Sequence, residues 1–144
     1  MYKKIAVAIL AIGLSFGQSV FADDDGFADK KVVLQISDYN PQKQTLVLNV
    51  ANNLIKHYGQ DSVKVEIVAF GPGLRLLQEG NVNTDRIQSL VDTGVQFSAC
   101  SNTLRKFSKK LGQPFKLNSN AVRVSAGVVR IIDLTGKNYT LIKP

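Results

Sequence analysis

Short apolar runs rich in β-branched residues alternate along this chain with segments whose apolar residues recur at helical spacing, and few folds accommodate that alternation. Val32 to Ser37 is almost uniformly apolar, as a strand buried on both faces must be. Asn40-Pro41 follows as a helix N-cap with proline at the first helical position, and Leu46, Val47, Val50, Ala51, Leu54 and Tyr58 carry one helical face to Gly59. Val63 to Phe70 predicts a second strand, partly alternating and therefore placed nearer an edge, which Gly71-Pro72-Gly73 breaks. A short helical turn over Leu74 to Gln78 and a helix from Asp85 to Thr93, capped by Thr84, lead to a third strand at Val95 to Ala99.

The next helix is predicted from Asn102 to Leu111, with Leu104, Phe107 and Leu111 inward and Gly112 as its stop. After a loop at 113–120 come a short strand at Ala121 to Val124, a helix at Val128 to Leu134 and a closing strand at Tyr139 to Ile142. Strands that alternate with helices predict an α/β fold of three layers around a mainly parallel five-stranded sheet. In a flavodoxin-like strand order the first and third strands are neighbours, and a crevice opens between their carboxyl ends. Those ends carry Asp38-Tyr39-Asn40 and Cys100-Ser101-Asn102, with Gly71-Pro72-Gly73 on the adjoining side.

The amino-terminal residues predict export. Met1-Tyr2-Lys3-Lys4 is a basic n-region, Ile5 to Phe16 is an apolar stretch too short to span a bilayer comfortably, and Val20-Phe21-Ala22 supplies small residues for cleavage after Ala22. No cysteine stands there to take a lipid, and no later segment is apolar enough for a membrane helix. The expected organisation is a signal peptide at 1–22, a disordered acidic leader at 23–30 and a single domain at 31–144, delivered to a periplasm. Removing Lys3 and Lys4 lowers the formal charge from +7 to about +5. The basic residues cluster only at Lys30-Lys31, Arg105-Lys106 and Lys109-Lys110, which read as solvated faces, so no nucleic-acid partner is expected.

Cys100 is the chain's single cysteine, and it stands between the third strand and the following helix. A helix N-terminus offers free N–H donors and partial positive charge, which favour a thiolate over a thiol. The alternative is a buried cysteine that acts as a small hydrophobe. Asn102 and Thr103 are candidate donors to the sulfur, although plain helix capping also explains them, and Arg105 lies one turn further on. Asp38 and Asn40 are candidate ligand-binding residues or simply turn formers, and Gly71 and Gly73 offer N–H groups to an anion or merely redirect the chain. His57 is the lone histidine, with no acidic or cysteine cluster beside it, so neither a metal site nor a resident cofactor is expected. No G-x-S-x-G elbow occurs, and the first loop is not a phosphate cradle for a flavin.

The strings VVLQISDYNPQKQTLVLNVANNL, VEIVAFGPGLRLL, GVQFSACSNT and AGVVRIIDLTGKNYTLIKP together resemble the DsrE/DsrF-like family of small sulfur-relay proteins, over about Lys31 to Pro144. The resemblance implies a flavodoxin-like fold, homo-oligomers such as trimers or hexamers, and a donor or acceptor protein as partner. In the DsrE and TusD branches a cysteine at the end of the third strand carries sulfur as a persulfide, and Cys100 occupies the matching position. The chain departs from those branches in its export signal, and its wording is closer to an uncharacterised subgroup. The expectation is a periplasmic sulfur carrier or sulfurtransferase-like protein acting through Cys100. The alternative is a non-catalytic oligomer that binds a small anion or serves structurally, with Cys100 buried.

Overall fold

The computed structural model describes residues 28–144. The predicted signal peptide, its cleavage point and most of the acidic leader lie outside the described residues. Strand β1 (Lys30–Ile36) leads into helix α1 (Pro41–Tyr58), and strand β2 (Val63–Ala69) into a 3-10 turn (Gly71–Leu77) and helix α2 (Thr84–Asp92). Strand β3 (Gln96–Cys100) runs directly into helix α3 (Ser101–Leu111), followed by strand β4 (Ala121–Val124), helix α4 (Gly127–Gly136) and strand β5 (Thr140–Ile142). The five strands lie in the order β4-β3-β2-β1-β5, and every pairing is parallel. Helices pack on both faces, which gives the three-layer, flavodoxin-like α/β sandwich that the alternation predicts.

The strand order differs from the sequence-based expectation in two respects. β2 is the central strand and not an edge strand, and it separates β1 from β3. The expected crevice between the first and third strands is therefore not formed, and their carboxyl ends stand two strand spacings apart, roughly 10 Å. The misleading signal was Glu66, which reads as a solvent-facing charge in an alternating strand but is buried. Its Oε1 accepts from the Ser98 hydroxyl at 2.6 Å and from Arg130 Nε at 2.8 Å, and its Oε2 accepts from Arg130 Nη2 at 2.8 Å. Fully satisfied in this way, a carboxylate can occupy an interior strand.

The two faces of the sheet are covered unequally. On one face Leu34, Ile36, Ile67, Ala69, Phe97 and Ala99 join side chains of α1, the 3-10 turn, α2 and α3 in one continuous core. On the other, Val33 and Val68 meet Ile131 and Leu134 of α4, with Phe70 and Tyr139 packed alongside. Strand alternation sends Glu66, Ser98 and Cys100 to this second, thinly covered face. Leu111, expected inward, is half exposed at the end of α3.

Removing one member of a buried ion pair strands the other, at a cost of about 3–5 kcal/mol. Arg130 is partly open to solvent, with 30% of its side chain exposed against 4% for Glu66, so the lower end applies. Arg130→Met is expected to lower the free energy of unfolding by about 3 kcal/mol in a urea titration. Adding Glu66→Gln, which neutralises the stranded charge and keeps an acceptor for Ser98, should recover at least half of that loss. A single variant within about 0.5 kcal/mol of wild type, the usual range for an inconsequential surface change, would show that the pair does not hold the helix.

Candidate functional site

Helix α3 starts one residue earlier than its pattern predicts, so Cys100 is itself the N-cap residue, with extended backbone at φ −66° and ψ 114°. Its side chain is 5% exposed and belongs to neither apolar cluster. Hydrogen-bond donors reach the sulfur. Burial pushes the thiol pKa up, but this is outweighed by the Thr103 hydroxyl and by the backbone N–H groups of Thr103, Gly127 and Asn102, and the net pKa is lowered. The neutral thiol makes no capping hydrogen bond to α3, so these donors act chiefly on the charged form.

Donors arrive from two helices. Asn102 and Thr103 belong to the first turn of α3, and Gly127 opens α4. β4 pairs with β3 so that Val124 lies opposite Cys100, and the chain needs only Ser125 and Ala126 to begin α4 beside the sulfur. A side chain on Gly127 would press on Phe70, its Cβ 2.9 Å from the ring's Cδ1, so glycine allows the helix to start this close to the end of β2. Two helix N-termini thus direct N–H groups at a single sulfur.

Thr103 is buried, and its Oγ1 accepts from the Gly71 N–H at 2.9 Å. With an acceptor site filled by Gly71, the hydroxyl keeps its one proton for the sulfur. Two residues earlier on β3, Ser98 joins the Glu66–Arg130 pair, and Arg130 lies three residues after Gly127 on α4. The ion pair accordingly fixes the first turn of α4 over the same sheet face that carries Cys100.

Of the sequence-predicted residues, the structure brings together Cys100, Asn102, Thr103 and Gly71. Gly73 serves a different end: a Cβ there would lie 2.3 Å from the Ile36 carbonyl oxygen, so the 3-10 turn packs directly on β1. Gly71 sits at φ +53°, and its N–H is taken by Thr103 and not left for an anion. Asp38 and Asn40 lie beyond β2 at the end of β1. There Asp38 accepts from Lys43 Nζ at 3.1 Å, and Asn40 Oδ1 caps α1 through the Gln42 N–H at 2.8 Å. The Asn102 side chain accepts from Arg105. Sequence reasoning missed Gly127, because its proximity to Cys100 depends on β4 lying beside β3. Among the described residues no group of three or more His, Cys, Asp or Glu could hold a metal ion, and no helix is long and apolar enough to cross a membrane.

Comparison with solved structures finds a likeness to a protein of unknown function from Methanobacterium thermoautotrophicum, with 29% sequence identity and a TM-score of 0.72, covering 81% of this chain and 100% of that one. No protein-family profile matches the chain, and no curated protein matches it. The likeness places the chain in a similar fold family and assigns it no chemistry.

A thiol pKa lowered by folding has a definite linkage sign: the folded state is favoured where the thiolate forms, above the unfolded value of about 8.5, and the gain is lost as pH falls through the folded value. The stability of the wild type relative to Cys100→Ala is therefore expected to rise from neutral pH toward about pH 9. The pH midpoint of iodoacetamide alkylation should lie below that of the same chain unfolded in urea. Thr103→Val should move that midpoint up and Thr103→Ser should restore it; a midpoint indifferent to both would remove the hydroxyl from the account.

Proposed function

We propose that this chain is an exported protein of the DsrE/DsrF-like superfamily that binds or relays sulfane sulfur on Cys100. The observation that carries the reading is the convergence of N–H groups from α3 and α4, together with the Thr103 hydroxyl, on the chain's single cysteine. The resemblance of four separated strings to that superfamily supports it independently. A persulfide carrier needs a stabilised thiolate and no resolving cysteine that would discharge it as an internal disulfide.

The chemistry is a sulfur transfer without net oxidation. The Cys100 thiolate attacks the outer sulfur of a donor persulfide, a sulfur–sulfur bond forms at Cys100, and the donor thiolate leaves with the electron pair of the broken bond. With thiosulfate as donor, sulfite leaves instead. The anionic Cys100 persulfide then sits among the same donors that favoured the thiolate. Attack by an acceptor thiolate on its outer sulfur returns Cys100 to the thiolate. Every step moves negative charge between sulfurs, which is the charge that helix N-termini stabilise.

The partner in this reading is a second copy of the chain together with a donor or acceptor protein. Support for self-association comes from α4, where Val128, Val129 and Ile132 are 54%, 49% and 62% exposed, next to Val122 at 52% on β4. Among the described residues α4 is the one helix packed on this face of the sheet, and the apolar surface it leaves open is what assembly would cover. Trimers or hexamers, as the resemblance implies, would bury this face near Cys100. Export to a periplasm rests on the basic and apolar amino-terminal segment.

A second reading has its own observation. Cys100 is 5% exposed, which suits a structural thiol in a non-catalytic oligomer. Intact-mass analysis after incubation with thiosulfate or a low-molecular-weight persulfide separates the two. A reducible gain of one sulfur atom, absent in Cys100→Ala, is the expected result. A folded protein that neither gains sulfur nor alkylates at Cys100 would sink the carrier reading in favour of the structural one.

A further inference from the structure

Away from Cys100, on the opposite face of the sheet, the guanidinium of Arg75 lies 5.2 Å from the centroid of the Tyr39 ring and 5.5 Å from that of Phe107. Its backbone is firmly anchored. Leu74, Leu76 and Leu77 of the same turn are fully buried, and the Arg75 carbonyl accepts from the side-chain amide of Asn81 at 2.9 Å and from the Gln78 N–H at 3.2 Å. The side chain, by contrast, makes no hydrogen bond and no ion pair with any described residue. Aromatic contacts orient the guanidinium plane and leave its N–H edge unused.

That edge borders a cavity of about 190 Å³ lined by Arg75, Gln78, Phe107, Lys110, Leu111 and Phe115, roughly six water volumes. Phe107 and Phe115 form its floor with ring centroids 5.5 Å apart, and Leu111 leaves half of its surface open beside them. Two cations stand at the rim and no carboxylate lines the cavity. The nearby acids are engaged elsewhere, Asp38 with Lys43 and Glu79 with Lys116. An inorganic anion would leave the apolar floor unused, and a neutral apolar body would leave both cations unanswered.

We propose that this cavity binds a small amphipathic organic anion, its carboxylate or sulfonate head on the Arg75 edge with Lys110 adding positive potential, and its apolar body on Phe107, Leu111 and Phe115. A guanidinium meets a carboxylate in two parallel hydrogen bonds, and its orientation by the rings reduces what is lost on binding. The site is independent of the sulfur chemistry, since Cys100 faces the other side of the sheet.

The test is isothermal titration of the purified protein with three probes: 1-naphthoate, its uncharged analogue 1-naphthamide, and acetate, which has the head without the body. One-to-one binding of naphthoate with a Kd below about 1 mM is expected, with the other two at least about tenfold weaker. Arg75→Gln should weaken naphthoate by about tenfold or more and Arg75→Lys by less, because an ammonium keeps charge but not the planar fork. Lys110→Gln, on the exposed side of α3 and outside the anchored turn, should weaken it by a smaller factor with the thermal melt unchanged. Naphthoate should leave the Cys100 alkylation rate unaltered, which keeps this result separate from the sulfur reading. Equal affinity for naphthamide, unchanged binding in both Arg75→Gln and Lys110→Gln, or no saturation by about 10 mM would each overturn the proposal.

Discussion

The ion pair between Arg130 and Glu66 is the contact on which the thinly covered face of this sheet depends. The opposite face is held by a broad apolar core drawn from α1, α2, α3 and the 3-10 turn, and such burial is strong but non-directional. α4 has only a small apolar cluster beneath it. A helix seated on so few contacts can slide or rotate at little cost unless something directional fixes it. The bidentate guanidinium–carboxylate contact supplies that direction, because both of its hydrogen bonds are made only at one rotation and one height of the helix. Ser98 completes the arrangement by donating to the shared oxygen, so the carboxylate is held from two sides.

Fixing α4 has a consequence at Cys100. The sulfur is removed from water, which by itself opposes ionisation, and the donors around it favour the charged form. Burial is the largest single contribution, yet the combined donors outweigh it and the thiol pKa falls. The Gly127 N–H is one of those donors and exists only because α4 begins next to Cys100. Interior packing of α4 and the lowered pKa of the thiol at the start of α3 are therefore linked through the placement of one helical turn. The link is short, running from Glu66 through Arg130 to Gly127 along a single turn of α4.

The elements themselves were legible in the sequence, because strand and helix periods differ and Asn40-Pro41, Gly59, Gly94 and Gly112 punctuate them. Cys100 and its two donors on α3 were legible as well, since they are adjacent along the chain. Strand order was not, because no local pattern records which strand lies beside which. Glu66 shows the difficulty in one residue: its charge marked β2 as an edge, and only the arrival of Ser98 and Arg130 from distant segments makes a central position tolerable. Gly127 was hidden for the same reason, as was the Arg75 cluster, whose rings come from the loop after β1 and from the middle of α3. Asp38 and Asn40 were drawn toward Cys100 by a strand order the protein does not adopt.

The way the helices begin adds a final argument about the sulfur. An isolated helix gains from an acidic residue in its first turn or from a side-chain cap that accepts from its free N–H groups. α1 has the cap, from Asn40, and α2 has the acid, Asp85. Among the described α-helices, α3 and α4 have neither, and the 3-10 turn, which also has neither, has its Gly71 N–H taken by Thr103. α3 and α4 are the two whose N-termini face Cys100. An aspartate or glutamate in either first turn would compete with a thiolate for the same donors and repel it across a few ångströms, in an interior where charges are weakly screened. With those positions left uncharged, an anion formed on Cys100 would meet no competing carboxylate at either helix end. The omission leaves the N–H groups of both first turns available to the sulfur, in keeping with the lowered thiol pKa.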